Sequence, residues 1–331
     1  MFDGLDDVNW HDLPATYGSA AGVPAKLRAT MSPDPEVRRR ALSSCDGDLV
    51  HQGHRNDCAP PAIPFLLEIL AHGHPDLRSD LLEALLMLAV GYDETWLPET
   101  FAADRATPIE VACHAAVERG VPQFTALVQD PDSPVRRYAA ALLGWFPACA
   151  ATSVPALMPV VDDPDPSVAA TAVLALGLLG SDHFSVRGPA LVRGAAAIAR
   201  ARVHGPAAGP EVTAELLRWV SGEAEPLGTE IPYYEGNLHG YATLALGQVL
   251  PDDSDEAFET LLARIPQVQG MLAVPVVAEA LRRAFPDGPR PPGSALNPRQ
   301  QRLVHVLTTT PAIGELINLS AMVDAFVVPD R

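Results

Sequence analysis

His51, His54, His72 and His74 are four of the ten histidines, and Asp57 and Cys58 lie between them. Imidazoles beside a thiolate are a ligand set for zinc and for redox-active transition metals. Their spacings match no standard zinc module. Helix-connecting roles explain them as well: His51-Gln52-Gly53-His54 suits an inter-helix loop, and His72-Gly73-His74 a helix C-terminus, where the macrodipole favours histidine. No metal and no other cofactor is expected. A second set is cationic. Arg193 and Arg200, seven residues apart, share one helix face, with Arg187, Arg202 and Trp219 nearby. Arginines beside a stacking aromatic suit nucleic acid. Yet Lys+Arg 23 against Asp+Glu 41 gives a net charge of −18, which opposes a general electrostatic grip on phosphates. Nucleic acid is therefore disfavoured as a partner.

A third set is aromatic and acidic. Trp219, Tyr233, Tyr234 and Glu235 surround a long loop, residues 221–237, and Trp96 sits in an acidic insertion, residues 91–104. Long loops carrying aromatics are disproportionately functional, and Tyr and Trp make interface anchors; the same residues could also plug the core. The candidate binding residues are Trp96, Trp219, Tyr233, Tyr234 and Glu235, with His51 and Gln52. No catalytic residue is assigned. The nucleophile elbow, the P-loop, the dinucleotide fingerprint and the HExxH motif are all missing from the chain.

The elements that must position these groups are helices. A short motif recurs: Asp34-Pro35-Glu36-Val37-Arg38, Asp132-Ser133-Pro134-Val135-Arg136 and Asp165-Pro166-Ser167-Val168, with His74-Pro75-Asp76-Leu77-Arg78 a weaker copy. Asp caps a helix N-terminus and Pro fits its first position. Apolar runs at helical spacing follow each copy, and shorter apolar runs, 63–70, 121–128 and 154–161, precede three of them. One helix pair cannot bury its own stripe, so neighbours must stack. Sustained period-2 alternation is absent, as is an Asn-Gly or Asp-Gly hairpin between β-branched runs. With 331 residues, 48% hydrophobic and only 6% aromatic, the chain can bury a large core and is thinly equipped for a β-sandwich.

At these residues the chain resembles the HEAT-repeat family, most closely over Asp130–Arg136 and Asp162–Gly177. His51-Gln52-Gly53, followed by Ala59, Ala62 and Pro64-Phe65-Leu66, is similar to a segment of bacterial HEAT-repeat proteins. The resemblance implies an armadillo-like, all-α fold: a right-handed α-solenoid of stacked antiparallel helix pairs that binds other macromolecules. It also implies Asp–Arg ladders inside the stack, interrupted at Ala169, where the family usually has Arg. A di-iron hydroxylase of this family would need His-Glu pairs, and the chain has none.

The expected organisation is one continuous solenoid over 1–331, about seven to nine helix pairs at roughly 33–45 residues per repeat. Residues 32–180 form regular repeats and 181–331 degenerate ones, the latter closing with capping helices at 298–307 and 313–326. The acidic N-terminus lacks the pattern of a signal peptide, no apolar run is long enough to span a membrane, and four scattered cysteines without a CxxC pair suit a reducing, cytoplasmic setting. The functional expectation is a non-catalytic scaffold or adaptor presenting a curved, acidic surface to a partner protein with a basic one, an immunity-like binder being one version. The alternative is an enzyme or accessory subunit whose groove takes a small molecule or, as in a DNA glycosylase, nucleic acid.

Overall fold

Asp34 opens the first repeat helix as its chemistry dictates. Its carboxylate accepts the Glu36 amide at 2.9 Å, and Pro35 occupies the first position of α2 (Pro35–Leu49). Asp165 does the same for the Ser167 amide at 2.9 Å. Asp132 departs from the pattern: its side chain makes no cap bond, and its own amide donates to Asp130 Oδ1 at 3.0 Å. The computed structural model describes residues 1–91, 101–184, 188–224, 231–232, 237–289 and 295–311, with Val323 and Phe326. Among the described residues the regular structure is fifteen α-helices, short 3-10 turns and two ribbons of two-residue strands. The fold is all-α, built of stacked helix pairs in the manner of an α-solenoid.

The chain divides into two compact units, 1–184 with 231–235, and 185–230 with 236–331. The first unit contains α1 (Val23–Ala29), α2, α3 (Ala59–His72), α4 (Arg78–Val90), α5 (Pro108–Glu118), α6 (Val121–Leu127), α7 (Ser133–Gly144), α8 (Ala150–Leu157) and α9 (Pro166–Leu178). Helices α2, α4, α7 and α9 pack side by side in one row, with α1, α3, α5, α6 and α8 behind them. Small residues let the row close up. A Cβ at Gly144 would lie 2.9 Å from the Ala175 Cα, so glycine sets the approach of α7 to α9. Every residue from Val168 to Leu178 is buried, so α9 lies in the core on all faces.

Helix α5 follows the acidic insertion and has no counterpart in the repeat motif. Thr107 and Glu110 form a full capping box around its first turn.

The second unit contains α10 (Ala190–His204), α11 (Pro210–Ser221), α12 (Leu238–Val249), α13 (Asp255–Arg264), α14 (Ala273–Ala284) and α15 (Pro298–Thr309). Helices α10, α12 and α14 form one row, α11 and α13 the other, and α15 packs on α14. A buried ion pair fastens the row. Arg283, with its side chain fully buried, donates to Glu279 Oε1 at 2.7 Å and to the Pro251 carbonyl at 2.6 Å. Its remaining donors reach the Leu246 and Leu250 carbonyls at 3.4 and 3.3 Å, capping the end of α12. Of the two capping helices expected, the first is α15; most of 313–326 lies outside the described residues, and Phe326 packs its ring 5.5 Å from Phe285.

Candidate interaction surface and helix-lined cleft

The sequence showed no hairpin signal, yet two small ribbons stand at the N-terminal end of the first unit. Val50–His51 pairs with His54–Arg55, and Pro14–Ala15 with Gly18–Ser19, both antiparallel. Gln52 and Gly53 turn the former with φ of 49° and 76°, the two positive values of a type I′ turn. Gln-Gly thus replaces the Asn-Gly or Asp-Gly that flags such a turn in sequence. Gln52 is a non-glycine residue in the left-handed region, a strained state that the surroundings must hold.

They do so through hydrogen bonds. The Asn56 amide group donates to Thr16 Oγ1 at 2.7 Å and to the Asp48 carbonyl at 2.8 Å, and the Thr16 amide donates to the same carbonyl at 3.1 Å. Tied this way, the two turns sit together. Tyr17, 81% exposed, sets its ring edge-on against His51 at 5.9 Å. His51, Gln52 and His54 are exposed as well. The result is a rigid aromatic and imidazole patch facing solvent. Sequence reasoning found His51 and Gln52 but missed Tyr17, whose partners come from 30 or more residues away.

Trp219 occupies the opposite kind of place. It is 2% exposed. Its indole N–H donates to Glu215 Oε1 at 3.2 Å, and its ring lies 5.0 Å from His239. His239 Nδ1 is 2.6 Å from the Trp219 carbonyl, which fixes Nδ1 as the protonated nitrogen, and burial holds that imidazole below its usual pKa. Gly194 makes room on α10: a Cβ there would come within 2.5 Å of the indole. Of the two roles open to Trp219, core plug and interface anchor, it fills the first.

Above it runs a cleft of about 390 Å³ between α10 and α11. Arg193 and Arg200, on one face as their spacing requires, form one wall with Ala197; Glu211 and Glu215 on α11 form the other. Glu215 accepts from Arg218 at 3.1 Å and lies 3.7 Å from Arg193 Nε. Arg193 also donates to the Gly188 carbonyl at 2.9 Å. Sequence reasoning placed the arginines together; the glutamates facing them follow from the α10–α11 turn.

Inside the first unit the motif arginines are bound to the motif aspartates of the next repeat. Arg38 reaches Asp76 at 2.6 Å, Arg78 reaches Asp130 at 2.8 Å, and Arg136 meets Asp163 twice, at 2.7 and 3.0 Å. Arg38 and Arg136 each also donate to two carbonyls of the preceding turn. The corresponding position on α9 is Ala169, and there the ladder ends. Residues 121–202 match the family model for HEAT repeats. HEAT repeats generally serve as protein-interaction scaffolds. No curated protein matches the chain.

The match begins at α6 and ends within α10, so it takes in the last rung of the ladder, Arg136–Asp163, and the helices around it. Trp96, Tyr233, Tyr234, Glu235 and Arg187 lie beyond the described residues. Among the described residues no group of three His, Cys, Asp or Glu side chains is placed to hold a metal ion. No single helix among them is long and apolar enough to cross a membrane. All four cysteines are free, and burial raises the thiols of Cys45 and Cys113 to about 12 and that of Cys58 to about 11, well away from a reactive thiolate.

Proposed function

We propose that the protein is a non-catalytic scaffold that binds a partner protein, and that the tied ribbons carrying Tyr17, His51, Gln52 and His54 form one contact surface. The observation that carries this reading is Tyr17. A large aromatic side chain 81% exposed on a hydrogen-bonded support offers much contact area at little entropic cost on binding. The repeats behind it support a scaffold role, because their motif arginines are engaged in rungs within the stack. The net charge of −18, with Asp12 and Asp57 exposed beside the ribbons, suits a basic partner surface. Free cysteines with inert thiols accord with a cytoplasmic setting.

Crosslinking of the full chain in extracts of its source cells, followed by mass spectrometry, identifies the partner, and calorimetry then compares variants. Tyr17→Ala is expected to weaken binding by about 2 kcal/mol, the scale of an interface hot spot, with an unchanged melting temperature. A partner that binds Tyr17→Ala and His51→Ala as tightly as the parent removes the ribbons from the interface. Trp96→Ala and Tyr234→Ala test the two interruptions of the repeat in the same titration.

A further inference from the structure

We infer that His51 and His54, at the tip of the second ribbon, form a two-histidine chelate for one divalent transition ion of the class that prefers nitrogen ligands, copper(II) above all. The two residues stand directly opposite each other across the Gln52-Gly53 turn. Opposed residues of an antiparallel pair point to one face, with Cβ atoms about 4.5–5.5 Å apart. Burial follows that alternation: Val50 and Arg55, the next pair, are buried, while His51 and His54 face solvent. Imidazole nitrogens bind such an ion at about 2.0–2.1 Å, so two on neighbouring coordination positions lie about 3 Å apart. Two exposed side chains rooted at that Cβ spacing close to it by rotation about χ1 and χ2. Spacing along the chain does not signal this pair; the turn brings it together.

The backbone under the pair is already ordered, so binding costs little entropy there. Asn56 ties the ribbon to Thr16 and Asp48. From beneath, Arg55, its side chain 2% exposed, donates to the Gly53 carbonyl at 2.8 Å and lies 3.3 Å from Glu110 on α5. Cys58 takes no part: its thiol is buried and donates to the Asp48 carbonyl at 3.5 Å. The site thus has two protein ligands, and water fills the remaining positions. Imidazole donors select copper(II), nickel(II) and zinc(II) over magnesium or calcium, and copper(II) binds most tightly of the three. Such an ion needs no partner protein to bind, so the site is independent of the ribbons' role as a contact surface.

Isothermal titration of the full chain with copper(II), nickel(II), zinc(II) and magnesium chlorides, at neutral pH in a non-coordinating buffer, tests this. Saturable binding of copper(II) is expected, at least tenfold tighter than that of nickel(II) or zinc(II), with magnesium silent. His51→Ala and His54→Ala, both at exposed positions, should each weaken copper(II) at least tenfold. The electron paramagnetic resonance spectrum of the copper(II) adduct should show two imidazole nitrogens in the parent and one in either variant. His72→Ala, which removes a histidine at the end of α3, should change neither readout. Failure of copper(II) to bind at millimolar concentration overturns the inference, as does parent-like affinity in either ribbon variant, a one-nitrogen spectrum in the parent, or an equal loss in His72→Ala. Circular dichroism of each variant confirms that a loss is not unfolding.

Discussion

Asp46 shows what one buried carboxyl does to stability. On α2 it lines a small cleft with Asp80 and Glu83 from α4, and burial together with Glu83 raises its pKa from 3.8 to about 6. Its Oδ1 is buried and unpaired. Between about pH 4 and pH 6 the folded state therefore holds this proton more tightly than the unfolded chain does. Stability falls as pH rises through that window, and the full penalty applies above it. Asp46→Asn should raise stability at about pH 8 by about 1–2 kcal/mol, judged from 1.36 kcal/mol per pKa unit with an allowance for solvent. The gain should vanish below about pH 4. Urea melts of both proteins at several pH values check this, and a gain independent of pH would contradict it.

Helices are held in their rows by two kinds of arginine contact, and they should not cost the same to break. Arg136 is part-buried, bound to the two Asp163 oxygens and to two turn carbonyls at the surface of the stack. Arg136→Ala removes charge-assisted hydrogen bonds but leaves the Asp163 carboxylate the Asp165 amide as a donor at 2.9 Å, for a cost of about 2 kcal/mol. Glu279 is 5% exposed, and its partner Arg283 is 2% exposed. Glu279→Gln leaves that guanidinium buried without its counter-charge, for a cost of about 3 kcal/mol or more. Chemical denaturation of the two variants should rank them in that order. Equal losses would mean that Arg283 is satisfied by the α12 carbonyls alone.

For the molecule as a whole, the two compact units each have their own rows and their own polar fastening: the Arg–Asp ladder in one, the Glu279–Arg283 pair in the other. Repeat arrays draw stability from neighbouring contacts, and chains with more than one unit often depart from two-state unfolding. Calorimetry should then resolve two transitions, with Arg136→Ala lowering one and Glu279→Gln the other. A single transition shifted by both variants would show that the units unfold together.

Much of this was legible in the residues themselves. Asp34 and Asp165 cap their helices as their types require, and Pro at the first helical position marks each start, because capping is a matter of a few neighbouring bonds. Ala169 announced the end of the ladder for the same reason. Helix α5 was written in Thr107 and Glu110, a local signal that the repeat pattern did not draw attention to. What the tertiary structure alone decided is where side chains from distant segments meet. Trp219 is in the core because Gly194 on another helix leaves space for its ring, and Tyr17 stands out because Asn56 and Asp48 hold its turn in place. The cleft exists because the turn after α10 brings Glu211 and Glu215 opposite Arg193 and Arg200. Backbone preferences act over a single turn and can be read along the chain, whereas burial and charge pairing depend on packing between segments far apart in sequence.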